Sequence, residues 1–200
     1  MSDPLYPQVE LLRAVGFAAE RHRYQLRKGA DRTPYINHPI AVAELLAQVG
    51  GISDLATLAA ALLHDTVEDT KTEPDEIEDA FGVEVCDLVV EVTDDKRLPK
   101  AERKRLQIVH GPHLSERARA IKIADKTCNV RDITHTPPSD WSMERKIEYL
   151  DWAEKVVSAC RGVNQPLERY FDEVLRRGRD ELENPAAPAT GVGAMVVPVS

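Results

Sequence analysis

The sequence predicts an all-α fold, a single compact multi-helix bundle. Three observations predict it. Apolar residues recur at three- and four-residue spacing along most of the chain, no run of alternating residues is long enough to demand a sheet, and Gly, Pro and capping residues interrupt the pattern at helix-length intervals. Two hundred residues suit one domain with a substantial core.

Leu11, Leu12, Val15, Ala18 and Ala19 mark the core stripe of a first helix that should end near Gly29. A loop from Arg32 to Asn37 follows. His38-Pro39 opens a second helix, with proline suited to its first turn, and Gly50-Gly51 stops it. Asp54 can cap a third helix, whose Ala- and Leu-rich body continues into His64-Asp65 and Glu68-Asp69. In one continuous helix these would pair at i, i+4, His64 over Glu68 and Asp65 over Asp69. Thr72 and Pro74 start a short helix that Gly82 closes, and Val83 to Val92 form the next despite three valines. Pro99 starts a helix bearing Lys100 to Arg105. Ala118 to Val130, Trp141 to Ala159 and Gln165 to Arg177 are the remaining three. Residues 1–183 are thus read as one domain. Residues 184–200, rich in Pro, Ala, Gly and Val without periodicity, are expected to be a disordered tail, less readily a docking segment at Met195 to Val199.

A net charge of −8 disfavours a nucleic-acid or anionic-membrane binder, since phosphate polymers select broadly basic surfaces. Two local reversals stand out: Arg21, Arg23, Arg27, Lys28 and Arg32, and the run from Lys96 to Arg105. Each alone reads more readily as a solvated face than as a focus for a small polyanion. Cys86, Cys128 and Cys160 have no metal-knuckle spacing and fit a reducing, cytoplasmic compartment. There is no N-terminal targeting pattern and no apolar run long enough for a membrane span. Nothing in the residues fixes an oligomeric state.

Ionisable groups emerging from an apolar helix need compensation. His64 and Asp65 gain partners in His38, at the start of a helix, and Asp125, which ends the apolar stretch Ala120 to Ala124. Two imidazoles and two carboxylates make a site for a divalent ion. Nitrogen and oxygen ligands without thiolates suit Mn²⁺, Fe²⁺ or Zn²⁺ better than Ca²⁺, and open coordination positions favour Mn²⁺.

The ordered His38, His64-Asp65 and Asp125 resemble the signature of HD-domain phosphohydrolases. Longer words, Thr33 to Pro39, Ala61 to Asp69, Glu91 to Lys96 and Lys122 to Asp132, resemble the RelA/SpoT hydrolase domain over residues 8 to about 178. The resemblance is to a stand-alone small alarmone hydrolase of the metazoan SpoT homologue type, an HD-domain bundle. It implies hydrolysis of the 3′-pyrophosphate of guanosine tetra- or pentaphosphate (ppGpp or pppGpp). It also implies catalytic roles for Glu68 and Asp69, which of them takes the proton being left open. Nucleotide contacts are implied at Arg27 (packing on the base), Asn129, Arg145 and Tyr149. Lys28 and Lys96 are assigned to the phosphates, and Tyr35 and Trp152 mainly to packing. The chain departs from bacterial relatives at Thr127 and Cys128, which puts the shape of the nucleotide pocket in question but not the metal ligands. Two other functions compete: removal of a phosphate from another ribose-phosphorylated nucleotide, such as the 2′-phosphate of NADPH, and nucleotide sensing without cleavage. A degenerate sensor is expected to lose a ligand or an acid, and none is missing.

Overall fold

The computed structural model describes residues 7–184, and the expected tail lies outside them, save Asn184. The named elements of the described residues are all helices: α1 (Pro7–Arg21), α2 (Asn37–Gln48), α3 (Leu55–Leu63), α4 (Thr66–Asp69), α5 (Pro74–Phe81), α6 (Val83–Val92), α7 (Lys100–His110), α8 (Glu116–His135), α9 (Met143–Cys160) and α10 (Gln165–Glu183). A short 3₁₀ turn, Gly111–His113, joins α7 to the segment before α8. The all-α expectation holds, and among the described residues none of these helices is long and apolar enough to cross a membrane.

Two helices organise the bundle. Every residue of α3 from Thr57 to Leu63 is buried, and the helix packs against α1, α2, α6 and α8. Asp54 caps it as expected, accepting from the Thr57 amide at 3.0 Å. The second organising helix, α8, is buried over most of its circumference between α2, α9 and α10. A helix buried all round is normally apolar. Here Lys122, Asp125, Lys126 and Thr127 are buried too, so part of the surface that α8 presents inward must be a polar site. Gly178 lets α10 close on α8, because a Cβ there would stand 2.6 Å from the Thr134 hydroxyl.

Two boundaries differ from expectation. The first helix stops at Arg21, not near Gly29; residues 25–35 fold back on themselves, with Arg27 N–H donating to Thr33 O and Tyr35 N–H to Gln25 O, both at 2.9 Å. Gly29 and Pro34 make this hairpin-like loop cheaper than further helix. More consequentially, the helix over 55–69 is not continuous. The Ala61 carbonyl accepts from His64 Nδ1 at 2.8 Å and the Leu63 carbonyl from Thr66 Oγ1 at 2.6 Å. Side chains thus take carbonyls that a continuing helix would use, and α4 restarts after Asp65. The one-turn relation expected of Asp65 and Asp69 survives, the Asp65 carbonyl accepting from the Asp69 N–H at 2.8 Å, while the bend turns both members of the His64-Asp65 pair toward the same point.

Candidate metal and nucleotide site

His38 from the first turn of α2, His64 and Asp65 from the α3–α4 bend, and Asp125 from the middle of α8 meet at one end of the core. His38, His64 and Asp65 offer ligand atoms that all lie within 4.8 Å of one another. Asp125 completes the group: its Oδ1 is 3.1 Å from His38 Nε2 and 3.9 Å from His64 Nε2. Asp65 Oδ2 is 3.0 Å from His64 Nε2 and 3.8 Å from His38 Nε2.

These residues fit a divalent ion. His64 Nδ1 donates to the Ala61 carbonyl, so the neutral ring turns a lone pair at Nε2 toward two carboxylates. That nitrogen is buried and, among the described residues, has no hydrogen-bond partner. A buried lone pair facing two anions calls for a positive charge between them. Without one, the ring itself supplies it: burial disfavours the imidazolium, but the Asp65 and Asp125 carboxylates overcome this and raise His64 to about 9. His38 goes the other way, held below its ordinary value by burial despite its bond to Asp125. Asp125 stays ionised far below the usual carboxylate range, against its burial, because Lys126 Nζ donates to Oδ2 at 2.7 Å and the imidazoles stand beside it.

The acid pair lies on the wall of the same cavity, of roughly 150 Å³, whose lining includes Tyr35, Gln107, Lys122 and Asn129. Glu68 accepts from the Asp94 backbone N–H at 3.2 Å and from Arg103 Nη1 at 3.4 Å. Burial, then the neighbouring Asp94 and Asp65 carboxylates, raise its affinity for a proton. Asp69 is paired with Lys96 and accepts from Gln25 Nε2 at 3.2 Å. Asn129 sits one turn along α8 from Asp125 and donates to its Oδ1 at 2.5 Å.

The other residues expected to contact a nucleotide do not line this cavity. Arg27 Nη2 donates to Asn129 Oδ1 at 2.8 Å and to Asp132 Oδ2 at 2.6 Å, and its guanidinium stands 5.4 Å from the Tyr35 ring centre. Arg145 lies over Trp141 at 4.4 Å, and Tyr149 packs between Trp141 and Trp152. Lys28 is exposed. It stands close enough to Lys100, with Arg145 and Arg103, that their charges add to burial in lowering the Lys100 ammonium. The two basic clusters, about seventy positions apart in the chain, therefore come near one another, with a contribution from Arg145 of α9.

Several residues escaped sequence reasoning. Tyr35, assigned to packing, donates its hydroxyl to Asp65 Oδ2 at 2.7 Å. Trp152 does pack, but it also donates Nε1 to the Lys104 carbonyl at 3.0 Å, and so tethers α7, a helix with no buried residue of its own. Arg103 and Lys100 were read only as members of a basic run, and Lys126 and Gln107 were given no role, although Lys126 pairs with its neighbour Asp125; the Arg103 partner, Glu68, is 35 positions away. Cys128 is the small buried residue expected, its thiol pushed up to about 12 by burial.

The family model described as "HD domain" matches residues 14–150. This chain is a member of the HD-domain family. The HD domain here is similar to guanosine-3′,5′-bis(diphosphate) 3′-pyrophosphohydrolase MESH1 of Xenopus tropicalis, 54% identical over 82% of this chain and 92% of that one. The human protein of the same name is 51% identical over 84% of this chain and 94% of its own. A solved structure described as a metazoan ortholog of SpoT that hydrolyses ppGpp superposes with a TM-score of 0.83 at 45% identity, covering 88% of this chain and 98% of that one. An HD domain implies a divalent metal, and the His38, His64 and Asp65 cluster is a place that can bind one.

Proposed function

We propose that the chain hydrolyses the 3′-pyrophosphate of ppGpp and pppGpp, giving GDP or GTP and pyrophosphate. The observation that carries this reading is a single cavity in which two imidazoles and two carboxylates converge beside a second, independently held pair of acids, Glu68 and Asp69. The names of the relatives supply the substrate.

His38, His64, Asp65 and Asp125 would hold the ion, and the nitrogen and oxygen donors with open positions favour Mn²⁺ over Fe²⁺ or Zn²⁺. When bound, a divalent ion polarises water and the phosphoryl oxygens. Water attacks the phosphorus bonded to O3′; the P–O3′ bond breaks, and O3′ takes up a proton as pyrophosphate leaves. Glu68, with its raised proton affinity, accepts the proton of the attacking water. Asp69, fixed between Lys96 and Gln25, orients that water, and the proton taken up by Glu68 is passed on to O3′. Arg27, held flat by Asp132 and Asn129, offers a planar cation to the guanine, and Asn129 is placed for the ribose. Lys28, Lys96, Arg145 and Lys100 would supply charge for the phosphates, and Tyr149, packed between Trp141 and Trp152, would stand at the far side of the nucleotide.

The test is direct. Protein stripped with chelator and reloaded with Mn²⁺ is incubated with ppGpp and, in parallel, with NADPH. Release of pyrophosphate and GDP at enzymatic rates supports the reading, and turnover of NADPH alone overturns it.

A further inference from the structure

We infer that Gln25 is a positioning residue for Asp69, and that a buried histidine, His22, sets the orientation of its amide. The inference rests on the hydrolytic reading above and adds residues to it. Gln25 lies in the loop after α1 and is 44 positions from Asp69, yet its Nε2 donates to Asp69 Oδ2 at 3.2 Å. Its other end, Oε1, is 2.7 Å from His22 Nδ1. A carboxylate oxygen accepts, so the amide nitrogen faces Asp69 and the amide oxygen faces away. That oxygen in turn requires a donor, and His22 Nδ1–H is the group beside it. The chain of donors runs one way: His22 Nδ1–H to Gln25 Oε1, then Gln25 Nε2–H to Asp69 Oδ2.

His22 is suited to hold that chain still. It is 2% exposed, and its ring stacks on Tyr35 at 4.8 Å between centres, with 30° between planes. Its Nε2 has no partner among the described residues, so no second bond competes for the ring's orientation. Tyr35 reaches Asp65, and Gln25 reaches Asp69. One buried imidazole thus sits behind supports for both a metal-facing and a catalytic carboxylate. Lys96 also contacts Asp69, but it comes from an exposed side chain on a flexible stem, whereas Gln25 is fixed at both ends. Outer-sphere partners of this kind typically change activity by about 10- to 100-fold when removed.

The test uses the Mn²⁺-loaded full chain with ppGpp. Gln25→Met keeps the length and removes both hydrogen bonds; kcat should fall about tenfold or more, while KM, bound Mn²⁺ and the thermal midpoint stay near wild type. His22→Leu and His22→Asn both lose the stacked ring, but only asparagine keeps an N–H at the place of Nδ1. The asparagine variant should therefore recover part of the kcat that leucine loses. A Gln25→Met enzyme with wild-type kcat overturns the inference, as does one that loses its fold, or leucine and asparagine variants of equal activity. If the wild-type protein itself releases no pyrophosphate, it is the hydrolytic reading that fails.

Discussion

His64 carries a proton that a metal must displace. In the metal-free protein its value is raised to about 9, so at neutral pH the ring is an imidazolium between Asp65 and Asp125. Both carboxylates are held low and stay ionised throughout this range. Only the neutral ring can ligate. Mn²⁺ affinity should therefore rise with pH through the neutral region and level off near 9, with about one proton released per ion bound at pH 7. Calorimetry in buffers of different ionisation enthalpy measures that proton. Glu68 belongs to a different part of the chemistry. Glu68→Gln preserves shape and should retain Mn²⁺ while kcat falls roughly 10²- to 10⁴-fold, the range of a lost general base; near-normal turnover would remove it from the mechanism. Arg27 is on the binding side. Arg27→Ala should raise KM for ppGpp with kcat largely kept, since base stacking acts on ground and transition states alike.

The bend between α3 and α4 is the element that makes the site, and its stability is testable. Thr66 is fully buried and donates to the Leu63 carbonyl. Thr66→Val keeps the volume and leaves that carbonyl without its partner, so unfolding in denaturant should show a loss of about 1–3 kcal/mol. Such a break was not legible in the sequence. Leu62 to Asp69 contains no Gly or Pro, and nothing in its apolar spacing announces an end. The competition was won locally by two side chains, His64 and Thr66, bonding to carbonyls of the helix they leave. The Asp54 cap and the Pro74 and Gly82 boundaries were legible because each acts through its own backbone or its nearest neighbours. Arg21 ending the first helix was missed for the opposite reason: Gln25 and Tyr35 pair across the loop, which no single-residue preference reveals.

Across the whole molecule, the residue types of the site were readable and their distances were not. His38, the bend and Asp125 come from helices α2, α3–α4 and α8, and ordinary core packing of α2 and α3 on α8 brings them together. The support shell was invisible for the same reason: Tyr35 to Asp65 spans 30 positions, Gln25 to Asp69 44, and Arg103 to Glu68 35. So was the approach of two basic clusters that separately look like solvated faces. The central claim is that one divalent ion draws ligands from all three places. Crystals grown with Mn²⁺ and measured for anomalous scattering locate it. The account predicts a single strong peak about 2 Å from His38 Nε2, His64 Nε2 and one oxygen each of Asp65 and Asp125. A peak outside coordinating reach of His38 or Asp125 would contradict it.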